Sequence, residues 1–296
     1  MRETDQSRAG MTTVTLAIAL MGFAAVMSSV MHVGIRLVST SGLAIIEVVF
    51  LRTLLTLVLT LPFVFRPGHM AWRSTVPWSH VARGGVGMLS MWSWYYALAN
   101  LPLGLAVTLG QTTALFLVGG AALWFRERVG VVRWSALVAG LVGAMIALQP
   151  GGGAGMGWPA MIAIASSALW ALSLLMAKDM TRYDSPLTVS FYQPLTIMPL
   201  SLIGAIPVWV TPTLYDLAVL TMMAAVAGLS NFCSIKALGL ADASITAPID
   251  YTKILWTTTA AYVLFAEVPG VAAVIGGALI LAATLMITIY ERRPEK

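Results

Sequence analysis

The sequence predicts an all-α polytopic membrane protein: ten transmembrane helices arranged as a 5+5 inverted repeat. Three observations carry this expectation. The 296 residues are 59% apolar and 10% charged, with a mean hydropathy of +0.87, whereas soluble domains are about 45–50% apolar and about a quarter charged. Apolar runs reach the roughly 20 residues that a helix needs to cross a hydrocarbon core about 30 Å thick. Residue types also recur between the two halves of the chain at a fixed distance.

The first span covers residues 13–36. It follows a polar start carrying Arg2 and Arg8, and its apolar run is too long for a signal-peptide core, so it is expected to be retained. Spans two to five cover 43–65, 78–99, 102–124 and 131–149, and spans six to ten cover 158–179, 186–208, 214–237, 243–265 and 269–290, ahead of a tail at 291–296. Turn chemistry marks the breaks, as at Arg66-Pro67-Gly68, Asn100-Leu101-Pro102 and Val210-Thr211-Pro212. Irregular backbone facing lipid leaves amide groups unsatisfied, which favours helices joined by short loops.

With both termini in the cytoplasm, fourteen of the 17 basic residues fall on the inner side, Arg83 and Lys178 among them, and only Arg36 falls outside. That asymmetry sets an N-in, C-in orientation in the inner membrane. Scattered singly, the basic residues form no patch for nucleic acid. The single cysteine, Cys233, cannot form an intrachain disulfide and suits packing.

The Gly-rich stretch from Pro150 to Gly157 lies near the midpoint and divides the chain into repeats at 1–149 and 158–290. A shift of 140 residues pairs Ala97-Leu98 with Ala237-Leu238, Thr112 with Thr252, Phe125 with Phe265, Glu127 with Glu267 and Gly130-Val131 with Gly270-Val271. Five spans per half is an odd number, so the halves insert with opposite orientations, as in many secondary transporters.

These segments, Tyr96-Ala97-Leu98 through Phe125-Arg126-Glu127, their echo Ala237-Leu238 through Phe265-Ala266-Glu267-Val268-Pro269, and Ala168-Leu169-Trp170-Ala171, resemble the EamA-type branch of the drug/metabolite transporter superfamily over nearly the whole chain. The resemblance implies a central cavity lined by spans 1, 3, 4, 6, 8 and 9, alternating access and a small organic substrate. Span two, Glu47-Val48-Val49-Phe50-Leu51-Arg52, looks most like members proposed to take up vitamins or S-adenosylmethionine.

Ionisable groups inside a span cost about 2.5–3.5 kcal/mol each on insertion scales, so they head the candidates. Asp250 and Lys253 share a helical face on span nine, where they can pair, and Pro248 just before them removes a helical hydrogen bond. Their counterparts in the first half, Gly110 and Thr113, are uncharged. The competing reading is a structural salt bridge. Tyr251, in register with Gln111, joins them as a substrate-binding candidate, with Trp170 on span six and Asn231 on span eight. Thr108 and Thr112 flank Gln111, but hydroxyls often bond back to their own helix.

Span three reads Met91-Trp92-Ser93-Trp94-Tyr95-Tyr96. Aromatic faces bind cations and planar ligands, and Trp92 and Tyr96, four apart, are expected on one cavity-facing side. For proton coupling, Asp250 is the first expectation and Glu47 or His32 the second, a helix-end role being the alternative for Glu47 and a packed core for His32. Tyr192 and Gln193 are expected as interhelical contacts, and Glu127 and Glu267 as helix-end anchors. Small residues at Ala136, Gly140 and Ala144 and at Gly276-Gly277-Ala278 form packing faces, with a homodimer contact as a further use.

The function expected is secondary transport of a small organic metabolite (an amino acid, vitamin, nucleoside-like compound or methylated amine) by alternating access, proton-coupled or by exchange. No Walker-type phosphate loop is present. An intramembrane lipid-modifying enzyme would need clustered metal ligands or a nucleophile beside a base, and His32, His69 and His80 are scattered, the last two assigned to a cytoplasmic loop. No catalytic residue, metal or cofactor is expected. A receptor or scaffold is the remaining alternative.

Overall fold

The computed structural model describes residues 2–38, 42–66, 72–100, 109–127, 129–148, 158–265 and 271–291. In chain order its helices are α1 (Arg2–Val38), α2 (Ile45–Val64), α3 (Pro77–Asn100), α4 (Thr113–Trp124), α5 (Val131–Leu148), α6 (Trp158–Met180), α7 (Pro186–Ala205), α8 (Leu214–Leu240), α9 (Ala243–Asp250), α10 (Lys253–Phe265) and α11 (Val271–Glu291), with a 3-10 turn, Ile206–Val208, extending α7. Five of the described helices are by themselves long and apolar enough to cross a membrane. Of the remaining spans, α3, α5 and α11 are single helices of 24, 18 and 21 residues, and α9 with α10 together make the ninth.

Local chemistry sets the helix ends. Ser185 caps α7 by accepting from the Thr188 N–H, with Pro186 in the first turn where a missing N–H costs nothing. Thr213 and Asp216 form a reciprocal capping box on α8. At the end of α4 the chain reverses through Arg126 at φ 55°, a left-handed position that commonly closes a helix.

The helix pairing obeys a pseudo-two-fold that exchanges spans one to five with six to ten. Helix α1 packs on α8 as α3 packs on α6; α2 packs on α8 as α3 packs on α7; and α1 packs on α10 as α4 packs on α6. The pairs α5 with α11 and α2 with α7 map onto themselves, so the axis runs through both. Small residues permit the closest approaches. A Cβ on Gly34 would overlap the Met223 side chain, and one on Gly143 would stand 2.8 Å from the Gly276 carbonyl oxygen.

Two expectations need correction. His80 lies in the first turn of α3 and is 1% exposed, rather than in a solvated loop. Arg83, counted among the orientation charges, is also 1% exposed; its Nε, Nη1 and Nη2 donate to the Ser173 and Val189 carbonyls and to Gln193 Oε1. A buried guanidinium is tolerable when its donors are satisfied, and here they tie three helices together. Gln193 and Tyr192, the latter stacked on His80 at 4.4 Å, are the interhelical contacts expected.

Candidate functional site

The ninth span breaks where the chain carries its charges. Helix α9 ends at Asp250, Tyr251 and Thr252 form a turn, and α10 begins at Lys253. Pro248 leaves no N–H for the turn before it, and i to i+3 bonds from Thr252 N to the Ile249 carbonyl and from Leu255 N to the Thr252 carbonyl, each 3.0 Å, carry the chain across. The fourth span breaks in the same register without a proline. Leu109 and Gly110 are helical, Gln111 and Thr112 form a turn, and α4 starts at Thr113, with Thr112 N bonded to the Leu109 carbonyl at 3.1 Å. Adding 140 to 111, 112 and 113 gives 251, 252 and 253.

The two breaks touch. Tyr251 Oη donates to the Gln111 main-chain oxygen at 3.4 Å, and both residues are buried. The Tyr251 ring fills the space left by Gly140, where a Cβ would lie 2.5 Å from it. Beside this joint, Lys253 Nζ donates to Asp250 Oδ2 at 2.5 Å, with side-chain exposures of 25% and 39%. Charge open to hydrocarbon is costly whereas charge lining a watery cavity is tolerated, a cost that favours turning the open side of such a pair away from lipid. Ser29 of α1 fixes α10 by donating to the Lys253 carbonyl at 2.9 Å, and Ser230 of α8 donates to the Ala24 carbonyl at 2.9 Å.

The other candidates distribute around this joint unevenly. Asn231 and Trp170 are half-buried on α8 and α6. Trp92 and Tyr96 share an open face of α3 at 48% and 45% exposure, and Trp92 lines a groove of about 460 Å³ with Ile45, Ile46 and Gly204, on the α2 and α7 side. A second, apolar groove of about 380 Å³ runs between α4 and α6. Among the described aromatic side chains of α3, Trp94, on the opposite side from Trp92, reaches the broken fourth span, where its ring covers Gly110. Its signal in the sequence was the position two residues from Trp92, which turns it to another face of the helix.

Glu47 is fully buried, and its Oε2 accepts from Val210 N at 3.2 Å, tying the start of α2 to the segment before α8. It does not pair with Arg52, whose Nη1 lies 3.4 Å from Met31 Sδ. The pseudo-two-fold sets a second acid at the other end of the bundle, which the sequence reading passed over. Asp184, just before α7, accepts from Thr75 N at 2.9 Å, from both the Ser74 and Thr75 hydroxyls and from His80 Nε2 at 2.8 Å. Burial alone would raise its pKa, but the bonds from Ser74, Thr75 and His80 outweigh that and hold the carboxyl below its ordinary range. Glu127 pairs with Lys178 at 2.7 Å, an anchor between the ends of α4 and α6.

The His32 side chain and all of His69, Thr108 and Glu267 lie outside the described residues. Among the described residues no group of three or more His, Cys, Asp or Glu side chains is placed to hold a metal.

Comparison with known proteins agrees with this architecture. Residues 12–149 and 157–289 each match the EamA-like transporter family. The chain is 33% identical over 240 residues to a riboflavin transporter of Rhizobium johnstonii, covering 80% of this chain and 78% of the relative. It is 30% identical over 248 residues to an S-adenosylmethionine uptake transporter of Rickettsia bellii, covering 83% and 84%. A solved crystal structure superposes with a TM-score of 0.80 over 94% of this chain and 99% of the other at 18% identity, a likeness of fold. With two family repeats, ten spans related by a pseudo-two-fold and a charged break at the repeat interface, the chain belongs to the EamA-like transporter family and is a membrane transporter of small metabolites.

Proposed function

We propose that this transporter takes up a cofactor-sized polar metabolite of the riboflavin or S-adenosylmethionine kind by alternating access, with both termini in the cytoplasm and Asp250 and Lys253 receiving the substrate's polar groups. The observation that carries the reading is the half-open ion pair straddling the break of the ninth span, next to the equivalent break of the fourth. Helix breaks at corresponding positions of two inverted repeats are where such carriers bind substrate and coupling ion. The names of the two relatives support the substrate class, and the name of the Rickettsia bellii relative, an uptake transporter, supports the direction.

Substrate groups replace the bond between Asp250 and Lys253, a carboxylate or carbonyl meeting Lys253 and a cation or donor meeting Asp250. Uptake is driven by a proton that Asp250 accepts on one side and releases on the other. Glu47, held in a buried tie to Val210, suits a structural role better than proton transfer. The two repeats at 1–149 and 158–290 move as the alternating halves. Within the small-residue faces, Ala136 is buried, Gly140 lies under the Tyr251 ring and Gly277 against Leu255, so these three serve packing within the chain.

The test is uptake of radiolabelled riboflavin and S-adenosylmethionine into proteoliposomes, with and without an imposed pH gradient. Gradient-dependent accumulation of at least one compound, lost in Asp250→Asn, is the expected result. Accumulation of neither by the wild-type protein overturns the substrate class. Full gradient-dependent accumulation by Asp250→Asn overturns the proton assignment.

A further inference from the structure

The two halves share a backbone at their breaks but not a side-chain inventory. The 140-residue shift sets Gly110 against Asp250 and Trp94 against Ser234. In the second half a small residue on span eight accompanies a charged one at the break. The first half reverses this: a large aromatic on span three accompanies a residue with no side chain. A Cβ on Gly110 would stand 2.7 Å from the outer edge of the Trp94 indole, so the glycine is what lets the ring lie over the break. Trp94 is half-buried, leaving part of its surface uncovered. Gly110 and Asp250 are each the immediate neighbour of a partner in the Tyr251 to Gln111 hydrogen bond, so the aromatic surface and the ion pair flank one joint from opposite halves.

We infer that Trp94 is a specificity-determining residue: it stacks on a planar nitrogen heterocycle at one end of the substrate while the polar end reaches Asp250 and Lys253. The inference rests on the proposed uptake function and deepens it. Riboflavin and S-adenosylmethionine, for which the relatives are named, have little in common beyond a flat heterocycle joined to a polar chain. A site made of one ring platform and one ion pair selects for that combination. Stacking is tolerant of ring identity because every heterocycle presents a π-face. The asymmetry further fixes orientation: the heterocycle lies toward the first repeat and the polar chain toward the second.

The test measures equilibrium binding to the purified protein for two ring-bearing compounds, riboflavin and S-adenosylmethionine, and two ring-free ones, ribitol and S-methylmethionine. Trp94→Ala and Trp94→Leu are expected to weaken the ring-bearing compounds about tenfold or more, and Trp94→Phe less than about threefold, since a smaller π-face remains. S-methylmethionine binding changes less than about twofold in all three. Asp250→Asn gives another pattern, weakening S-adenosylmethionine and S-methylmethionine alike. Equal weakening of ring-bearing and ring-free compounds by Trp94→Leu, or an unchanged affinity for both ring-bearing compounds, overturns the inference. Where ring-free compounds bind too weakly to measure, Leu against Phe decides, because Leu fills the space without a ring: equal loss in both overturns it. Failure of the wild-type protein to bind either ring-bearing compound overturns the proposed function itself.

Discussion

At Asp250 and Lys253 the question is whether an ion pair within a span holds the fold or handles the substrate, and exposure decides what to expect. Both side chains are partly open, at 39% and 25%, and such pairs contribute about 0–1 kcal/mol to stability. A domain of this size shifts its Tm by roughly 2–4 °C per kcal/mol. Asp250→Asn and Lys253→Gln are therefore expected to lower uptake about tenfold or more while moving Tm by less than about 4 °C. The exchanged pair, Asp250→Lys with Lys253→Asp, restores Tm and leaves uptake low, since the charges then face the substrate in the wrong order. Measured together by transport and thermal unfolding in detergent, a structural bridge would show the reverse: a large fall in Tm and recovery of uptake in the exchange. Tyr251 behaves differently. Its ring is a buried part of the core against Gly140, so its loss is felt first as stability.

Among the elements, α5 and α11 form one of the two contacts that cross the pseudo-two-fold, and its closeness depends on glycine. Gly143→Val places atoms where the Gly276 carbonyl and Ile280 already stand; overpacking of this kind costs about 1–3 kcal/mol. Thermal unfolding is expected to show that loss for Gly143→Val and none for Gly119→Ala, whose new Cβ meets nothing within 4 Å. The segments joining spans are also held by acids, and Asp184 gives these ties a pH signature. Its carboxyl titrates below the ordinary range because Ser74, Thr75 and His80 donate to it against the penalty of burial. A depressed folded-state pKa contributes stability that is complete above the unfolded value near 4 and is lost as pH falls through the folded value. Asp184→Asn is expected to lose about 1–3 kcal/mol at neutral pH, and its Tm should fall less than that of the wild type between pH 5 and about 3. Parallel pH profiles of the two proteins would show that the carboxylate does not carry the tie.

For the molecule as a whole, much of the architecture was legible because membrane helices announce themselves by length and hydropathy and because Glu127 and Glu267 mark a repeat. Pro248 and the charges beside it pointed to the break in the ninth span. The break in the fourth was not legible, since Gln111 and Thr112 carry no proline; it follows from packing against Tyr251 and from the symmetry of the fold. Trp92 and Trp94 look alike in sequence, and only the rotation of α3 separates the ring on the α2 side from the ring over Gly110. Nothing local in the sequence reveals that Asp184 and His80 are buried against each other.

An odd number of spans per repeat also fixes which connections share a side of the membrane. The turn before α7 and the segment before α8 are one span apart and must lie on opposite sides, and the proposed cytoplasmic termini would place the former on the cytoplasmic side, as the bias of basic residues leads one to expect. Tyr183 and Tyr215, at 61% and 59% exposure, are accessible reporters of the two connections. Cys233 is buried and is the single cysteine, so Cys233→Ser supplies a silent background. In intact cells a membrane-impermeant thiol reagent is expected to label Tyr215→Cys and to reach Tyr183→Cys only after permeabilisation. Labelling of both from outside would break the five-span count of a repeat, and the reversed pattern would keep the fold while overturning the proposed orientation of the termini.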